Sequence, residues 1–165
     1  MNPMEQTAAY TLHPVREADE ATLLAIYASS RADEMALVPW DEAMKDAFLR
    51  SQLMAQQAHY RSYFPEATHD LILVEDAPVG RLYVDRRESE IRILDITLFE
   101  QARGYGTGTR IIEDLMKEAA DRDQSLSIYV ESYNRSLGLF QRLGFVKTEE
   151  NGASWLMVWR AASSL

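Results

Sequence analysis

The sequence predicts a mixed α/β (α+β) domain built on a mostly antiparallel sheet of six to seven strands with about four helices. Three observations carry that expectation. Apolar residues recur at helical spacing in some stretches and as short strand-length runs in others. The segments fall in the order strand, two helices, three strands, helix, strand, helix, two strands, which suits a sheet of neighbouring strands with a late crossover helix. A glycine-rich segment, residues 101–108, joins the third of the three consecutive strands to that helix.

Residues 1–9 read as a frayed tail, leaving 10–165 as a single domain. Residues 10–15 alternate weakly and form a first strand, with Pro14 favouring an edge position. Residues 17–30 carry Ala21, Leu24, Ala25 and Ala28 at helical spacing, and 31–40 read as a loop ending in Pro39-Trp40. Asp41 suits the N-cap of a long helix from residue 42 to about 61, with Met44, Ala47, Phe48 and Leu53 on its apolar side. Residues 70–75 and 79–85 make two strands about a turn at Asp76-Ala77-Pro78, and 90–98 make a third. After the glycine segment a helix runs to about residue 121, with Ile111, Ile112, Leu115, Met116 and Ala119 on one side. A strand at 126–131, a short helix at 135–143 and a hairpin about Asn151-Gly152 complete the chain.

Composition narrows the function. At 165 residues with no cysteine, the chain has the size for a real core but no disulfide, thiolate metal site or cysteine nucleophile. A net charge of −9 opposes nucleic-acid partners, which need a basic footprint. His13, His59 and His69 lack metal-ligand spacing, so no metal is expected. No apolar run approaches the roughly 20 residues that span a bilayer, and the first residues do not resemble a secretory signal. A cytoplasmic location with no membrane partner is the corresponding expectation.

Gln101-Ala102-Arg103-Gly104-Tyr105-Gly106-Thr107-Gly108 sits between a strand and a helix start. Glycines at alternate positions let main-chain N–H groups approach an anion, and a helix N-terminus adds unpaired donors and a positive dipole end. Arg103 adds charge. The segment is chemically a cradle for a phosphate or diphosphate. It lacks the Gly-Lys-Ser/Thr of a P-loop and has G-x-G-x-G where a dinucleotide site has G-x-G-x-x-G.

With this loop and the segment Asn134-Arg135-Ser136-Leu137-Gly138-Leu139-Phe140-Gln141-Arg142-Leu143-Gly144-Phe145, the chain resembles the GNAT superfamily of N-acetyltransferases. The family's Q/R-x-x-G-x-G/A loop is matched by Gln101-x-x-Gly104-x-Gly106 and again by Arg103-x-x-Gly106-x-Gly108. The second segment is similar to N-x-A-x-x-L-Y-x-x-L-G-F. The resemblance implies acetyl-CoA as acyl donor, direct transfer to a primary amine of a small molecule or peptide, and central strands that splay to admit the pantetheine arm. It also implies site residues. Ile96 and Leu98 would pair with the arm through their backbones. Arg103, Gly104, Tyr105, Gly106, Thr107 and Gly108 would hold the diphosphate. Asn134 would reach the pantetheine, or else cap the following helix, and Phe140 would lie beside the thioester.

For the acceptor amine, the resemblance points to Glu90 as base, eleven residues before Gln101. Asp95 is its rival, an acid within an apolar run that is costly to bury unpaired. The two have opposite strand parity. Asp95 and Arg92, three apart, should not pair along a plain strand. Phe140 stands where many relatives have a tyrosine acid, so Tyr105, Tyr129 or Tyr133 would have to replace it, or the thiolate leaves unaided. Glu34, Trp40 and Tyr63 would line the acceptor pocket, an acidic and aromatic setting suited to a cationic amine. The alternatives are a catalytically silent acyl-CoA-binding module, which Phe140 invites, and an enzyme acting on aminoacyl-tRNA, which the acidity disfavours. A homodimer is compatible with all of these.

Overall fold

The computed structural model describes residues 9–162, so all but the last residue of the expected N-terminal tail lies outside it. The chain forms β1 (Tyr10–Pro14), α1 (Glu20–Ser30), α2 (Ala32–Ala36), α3 (Glu42–Tyr63), β2 (Thr68–Val74), β3 (Ala77–Arg86), β4 (Glu90–Leu98), α4 (Thr107–Asp121), β5 (Ser125–Glu131), α5 (Ser136–Arg142), β6 (Val146–Asn151) and β7 (Ser154–Trp159). The strands form one seven-stranded sheet in the order β1-β2-β3-β4-β5-β7-β6. β1, with Pro14, is an edge strand as expected. β4 and β5 pair parallel with α4 as their crossover, while β1–β2, β5–β7 and β6–β7 pair antiparallel. No helix among the described residues is long and apolar enough to cross a membrane.

Two compact units divide the chain, and β3, β4 and the start of α4 each contribute to both. In the unit of residues 1–83 and 96–107, Leu23, Leu24, Ile26 and Tyr27 of α1 form a core with Leu49 and Leu53 of α3 and Leu71 of β2. The burial corrects two helical faces. Ala21 and Ala25 of α1 and Met44 and Ala47 of α3 are exposed. The leucines, isoleucine and tyrosine of the core remove more apolar area from water than alanines do, and so they decide which face turns inward. The start of α3 is as expected, with the Met44 N–H donating to Asp41 Oδ1 at 2.8 Å.

Two further expectations fail here. Residues 31–40 contain the one-turn helix α2, begun by an Arg31–Glu34 ion pair at i,i+3 spacing. The β2–β3 turn lies at Glu75 and Asp76, both with positive φ (52° and 66°), and Ala77 and Pro78 belong to β3. Two successive left-handed residues make the type I′ turn that matches strand twist.

In the unit of residues 84–95 and 108–165, apolar side chains of β4, α4, β5, α5 and β7 form the core with Val84 and Phe145, and Asp85, Gln124 and Ser127 are buried polar residues. Ile91, Ile93, Ile111, Ile112, Leu126 and Met157 are each at most 2% exposed. Phe140 and Phe145 meet edge to face with centroids 5.2 Å apart. At the β6–β7 turn, Gly152 has φ 64°, as the first central residue of a type II′ turn requires.

Candidate active site

The glycine loop begins with a single 3-10 turn, Glu100–Ala102, tied to α1 by the Glu100 N–H donating to Ser29 Oγ at 3.3 Å. That turn corrects one expectation. The Arg103 N–H donates to the Glu100 carbonyl at 3.1 Å, so this amide is already satisfied. The exposed donors begin one residue later. Gly104 and Gly106 have φ of 87° and 83°, a left-handed backbone only glycine adopts without cost. A Cβ at Gly104 would meet nothing within 4 Å, so the dihedral and not the space demands glycine there. Gly104, Tyr105 and Gly106 are exposed. Left-handed residues interleaved with others turn successive N–H groups to one concave side, which is an anion-binding arrangement. Thr107, only 6% exposed, opens α4, whose first-turn amides have no intrahelical acceptor. Gly108 is half-buried.

β4 leads into this loop. Its parallel ladder with β5 runs from Glu90↔Ser125 to Ile93↔Ile128, four residue pairs, although β4 continues to Leu98 and β5 to Glu131. Each strand goes on with its other neighbour. β5 pairs with β7 as far as Glu131↔Ser154. The end of β4 stays against β3: the Phe99 N–H donates to the Val79 carbonyl at 2.8 Å, and a Cβ at Gly80 would collide with the Thr97 carbonyl. Ile96, Leu98 and Asp95 are half-buried in this stretch.

Below the end of the ladder, one face of β4 and β5 is apolar and buried, and the other is polar. On the polar face Glu90 Oε1 accepts from Arg87 Nη1 at 2.6 Å and from Arg92 Nη2 at 3.2 Å. Glu90 Oε2 accepts from Ser127 Oγ at 3.0 Å, and the serine Oγ in turn accepts from Arg92 Nε at 2.7 Å. Arg87 also donates to Asp85 at 2.8 Å. Burial works against the Arg87 charge, but its bonds to Asp85 and its attraction to Glu90 and Asp85 outweigh that and raise its pKa. The Arg92 guanidinium lies over the Tyr129 ring, 5.0 Å from its centroid. A carboxylate has about four lone-pair sites, and three donors occupy three of those on Glu90. Its geometry is that of an anchor for two arginines. Arg92 thus finds its acid two residues back on its own face, as strand parity requires.

The remaining sequence-derived residues fall as follows. Asn134 is exposed, and its Oδ1 accepts from the Ser136 N–H at 2.9 Å, an Asx-turn one residue ahead of the α5 N-cap, which is Arg135 and not Asn134. Phe140 is 1% exposed, so its ring is core and presents no surface to a ligand. Glu34 is bound by Arg31 at 2.9 Å, Trp40 packs edge-on to Phe48 at 5.3 Å, and Tyr63 lies 4.5 Å from His59. Those three belong to one unit, each with its own intramolecular partner. The Arg92–Ser127–Tyr129 group went unforeseen, because it depends on the β4–β5 register. The alternation of Glu90 and Arg92 was its one local signal.

A seven-stranded mixed sheet with a parallel β4–β5 pair and an exposed glycine cradle between β4 and its crossover helix defines a class of acyl-transfer fold. Residues 28–155 match the family described as Acetyltransferase (GNAT) domain, and the chain belongs to that family. It is 28% identical over 127 residues to the histone acetyltransferase GCN5 of Oryza sativa subsp. japonica, covering 73% of this chain and 24% of that protein. The chain therefore spans about a quarter of the length of the curated relative it matches. Among solved structures, it is similar to an acetyltransferase from Thermus thermophilus (TM-score 0.68, 19% identity, 94% of this chain and 99% of that one). It is also similar to the PaiA N-acetyltransferase of Thermoplasma acidophilum in complex with coenzyme A (TM-score 0.67, 12% identity, 93% and 99% covered). A GNAT family acetyltransferase from Elizabethkingia anophelis with acetyl-CoA bound gives a TM-score of 0.57 at 17% identity (92% and 98% covered). At these identities the likeness is one of fold.

Proposed function

We propose that this protein transfers an acetyl group from acetyl-CoA to a primary amine of a small molecule or peptide, without a metal. The exposed left-handed backbone at Gly104 and Gly106, directly before α4, carries the reading. Its N–H groups fit the diphosphate of CoA, and the first-turn amides of α4 add the positive end of the helix dipole. The half-buried backbone of Ile96 and Leu98 is offered to the pantetheine arm. Bound acetyl-CoA supplies the activated acyl group. The chain's own residues bind and orient it, so that proximity provides much of the rate. The two structural relatives solved with CoA or acetyl-CoA support the choice of donor.

The silent-module reading loses its motive. With Phe140 in the core, the missing hydroxyl there says nothing about turnover. Calorimetric titration with acetyl-CoA tests the donor, and thiol release across a panel of amines tests transfer. Gly106→Trp, checked for an unchanged melting curve, is expected to weaken acetyl-CoA binding by more than tenfold. Unchanged affinity contradicts the loop assignment.

A further inference from the structure

Resting on the acetyl-CoA reading, we propose that Ser29, near the end of α1, is a positioning residue for the donor. Its hydroxyl oxygen caps the turn that opens the glycine loop, and so holds the loop's amides ready for the diphosphate. Residues 29 and 99–106 all lie in one compact unit.

The turn needs a cap that its own sequence does not supply. The first N–H groups of a helical turn have no acceptor within it. At Glu100–Ala102 the N-cap position is held by Phe99, and no side-chain bond from that position caps the turn. Phe99 is committed elsewhere. Its N–H donates to the Val79 carbonyl at 2.8 Å, and its side chain packs against the core of α1, α3 and β2. Within the turn, the Ala102 N–H donates to the Phe99 carbonyl at 2.9 Å and the Arg103 N–H to the Glu100 carbonyl at 3.1 Å. The Glu100 N–H goes instead to Ser29 Oγ at 3.3 Å, 71 residues away in the chain. Packing explains the meeting. Ala28 and Phe99 both rest on the same core, which brings the residues after them, Ser29 and Glu100, together.

This bond matters more to the loop than to the helix. Leu23, Leu24, Ile26 and Tyr27 are all buried and hold α1 without it. Alanine also suits a helix better than serine does. The loop has less to hold it. Gly104 and Gly106 keep positive φ while exposed, and a Cβ at Gly104 would find no atom within 4 Å. A glycine backbone loses much freedom when it is fixed around an anion. Fixing the entrance of the loop beforehand leaves less of that cost to the binding step. Ser29 thus acts through Glu100, on affinity for the donor, and takes no part in moving the acyl group.

Calorimetric titrations of the full chain with acetyl-CoA and with CoA test this. In Ser29→Ala, with the melting curve of the wild type, both Kd values are expected to rise about three- to tenfold, the effect of one neutral hydrogen bond. The two ligands share the diphosphate and differ only at the sulfur, so the factor is expected to be the same for both. Ser29→Thr keeps a hydroxyl and is expected to bring both values back toward the wild type, which a general loss of packing would not do. Ser30→Ala is the control. Ser30 Oγ donates to the Tyr27 carbonyl at 2.6 Å, within α1, and its removal is expected to change neither Kd. Unchanged Kd values in Ser29→Ala overturn the inference and leave the donor reading standing. A rise for acetyl-CoA alone also overturns it, because the effect would then lie at the thioester. Should neither ligand bind the wild type, the donor reading fails first and the inference falls with it.

Discussion

His69 of β2 is stacked on Tyr83 of β3, with centroids 4.2 Å apart and planes 17° from parallel. Burial, reinforced by the Arg81 charge, pushes its pKa down to about 4 from the ordinary 6.5. The folded protein therefore holds this ring neutral where the unfolded chain would protonate it. Its stabilising effect is complete above pH 6.5 and is lost as the pH falls from there toward 4, by at most about 3 kcal/mol. Urea denaturation of His69→Gln against the wild type between pH 4 and 7 checks this. The variant is expected to show a flatter dependence, and parallel curves would contradict the assignment. The Arg86–Glu118 pair acts in the same pH direction for a different reason. Its hydrogen bonds, at 2.6 and 3.0 Å, outweigh burial and lower the Glu118 pKa. Stability from this pair is present above the ordinary carboxyl range and fades as pH falls through the lowered value. Glu118→Gln is expected to remove it at neutral pH, with a loss of about 1 kcal/mol, since both side chains keep solvent contact.

At the scale of elements, β4 decides the most. Gly80 lets β3 pass so close to its end that any Cβ would strike the Thr97 carbonyl and Leu98. Gly80→Ala is expected to cost about 1–3 kcal/mol in chemical denaturation, as overpacking does, and to lower acetyl-CoA affinity by displacing Ile96 and Leu98. An unchanged midpoint would mean the two strands have slack. The bounds of β4 and α4 were legible because each is a long periodic run between strong punctuation. The Asp41 cap was legible for the same reason. What escaped was short or non-local. The turn at Glu75-Asp76 uses left-handed residues that are not glycine, while the nearby Pro78 drew the turn prediction to itself. α2 is only five residues long, less than periodicity can reveal. The partners of Glu90 include Ser127, 37 residues away, and only the register of β4 on β5 brings them together.

For the whole molecule, an acidic chain without cysteine belongs to the GNAT acetyltransferase family and carries a glycine-rich loop after a strand whose parallel ladder has four pairs. The family and most of the order of elements were written in local sequence. Amide hydrogen exchange with and without acetyl-CoA measures the central claim most directly. Exchange is expected to slow at residues 104–108 and at 96–98 of β4, and to stay unchanged in β6 and β7. Saturating acetyl-CoA that leaves residues 104–108 unprotected, or protects a different part of the chain, would contradict the account.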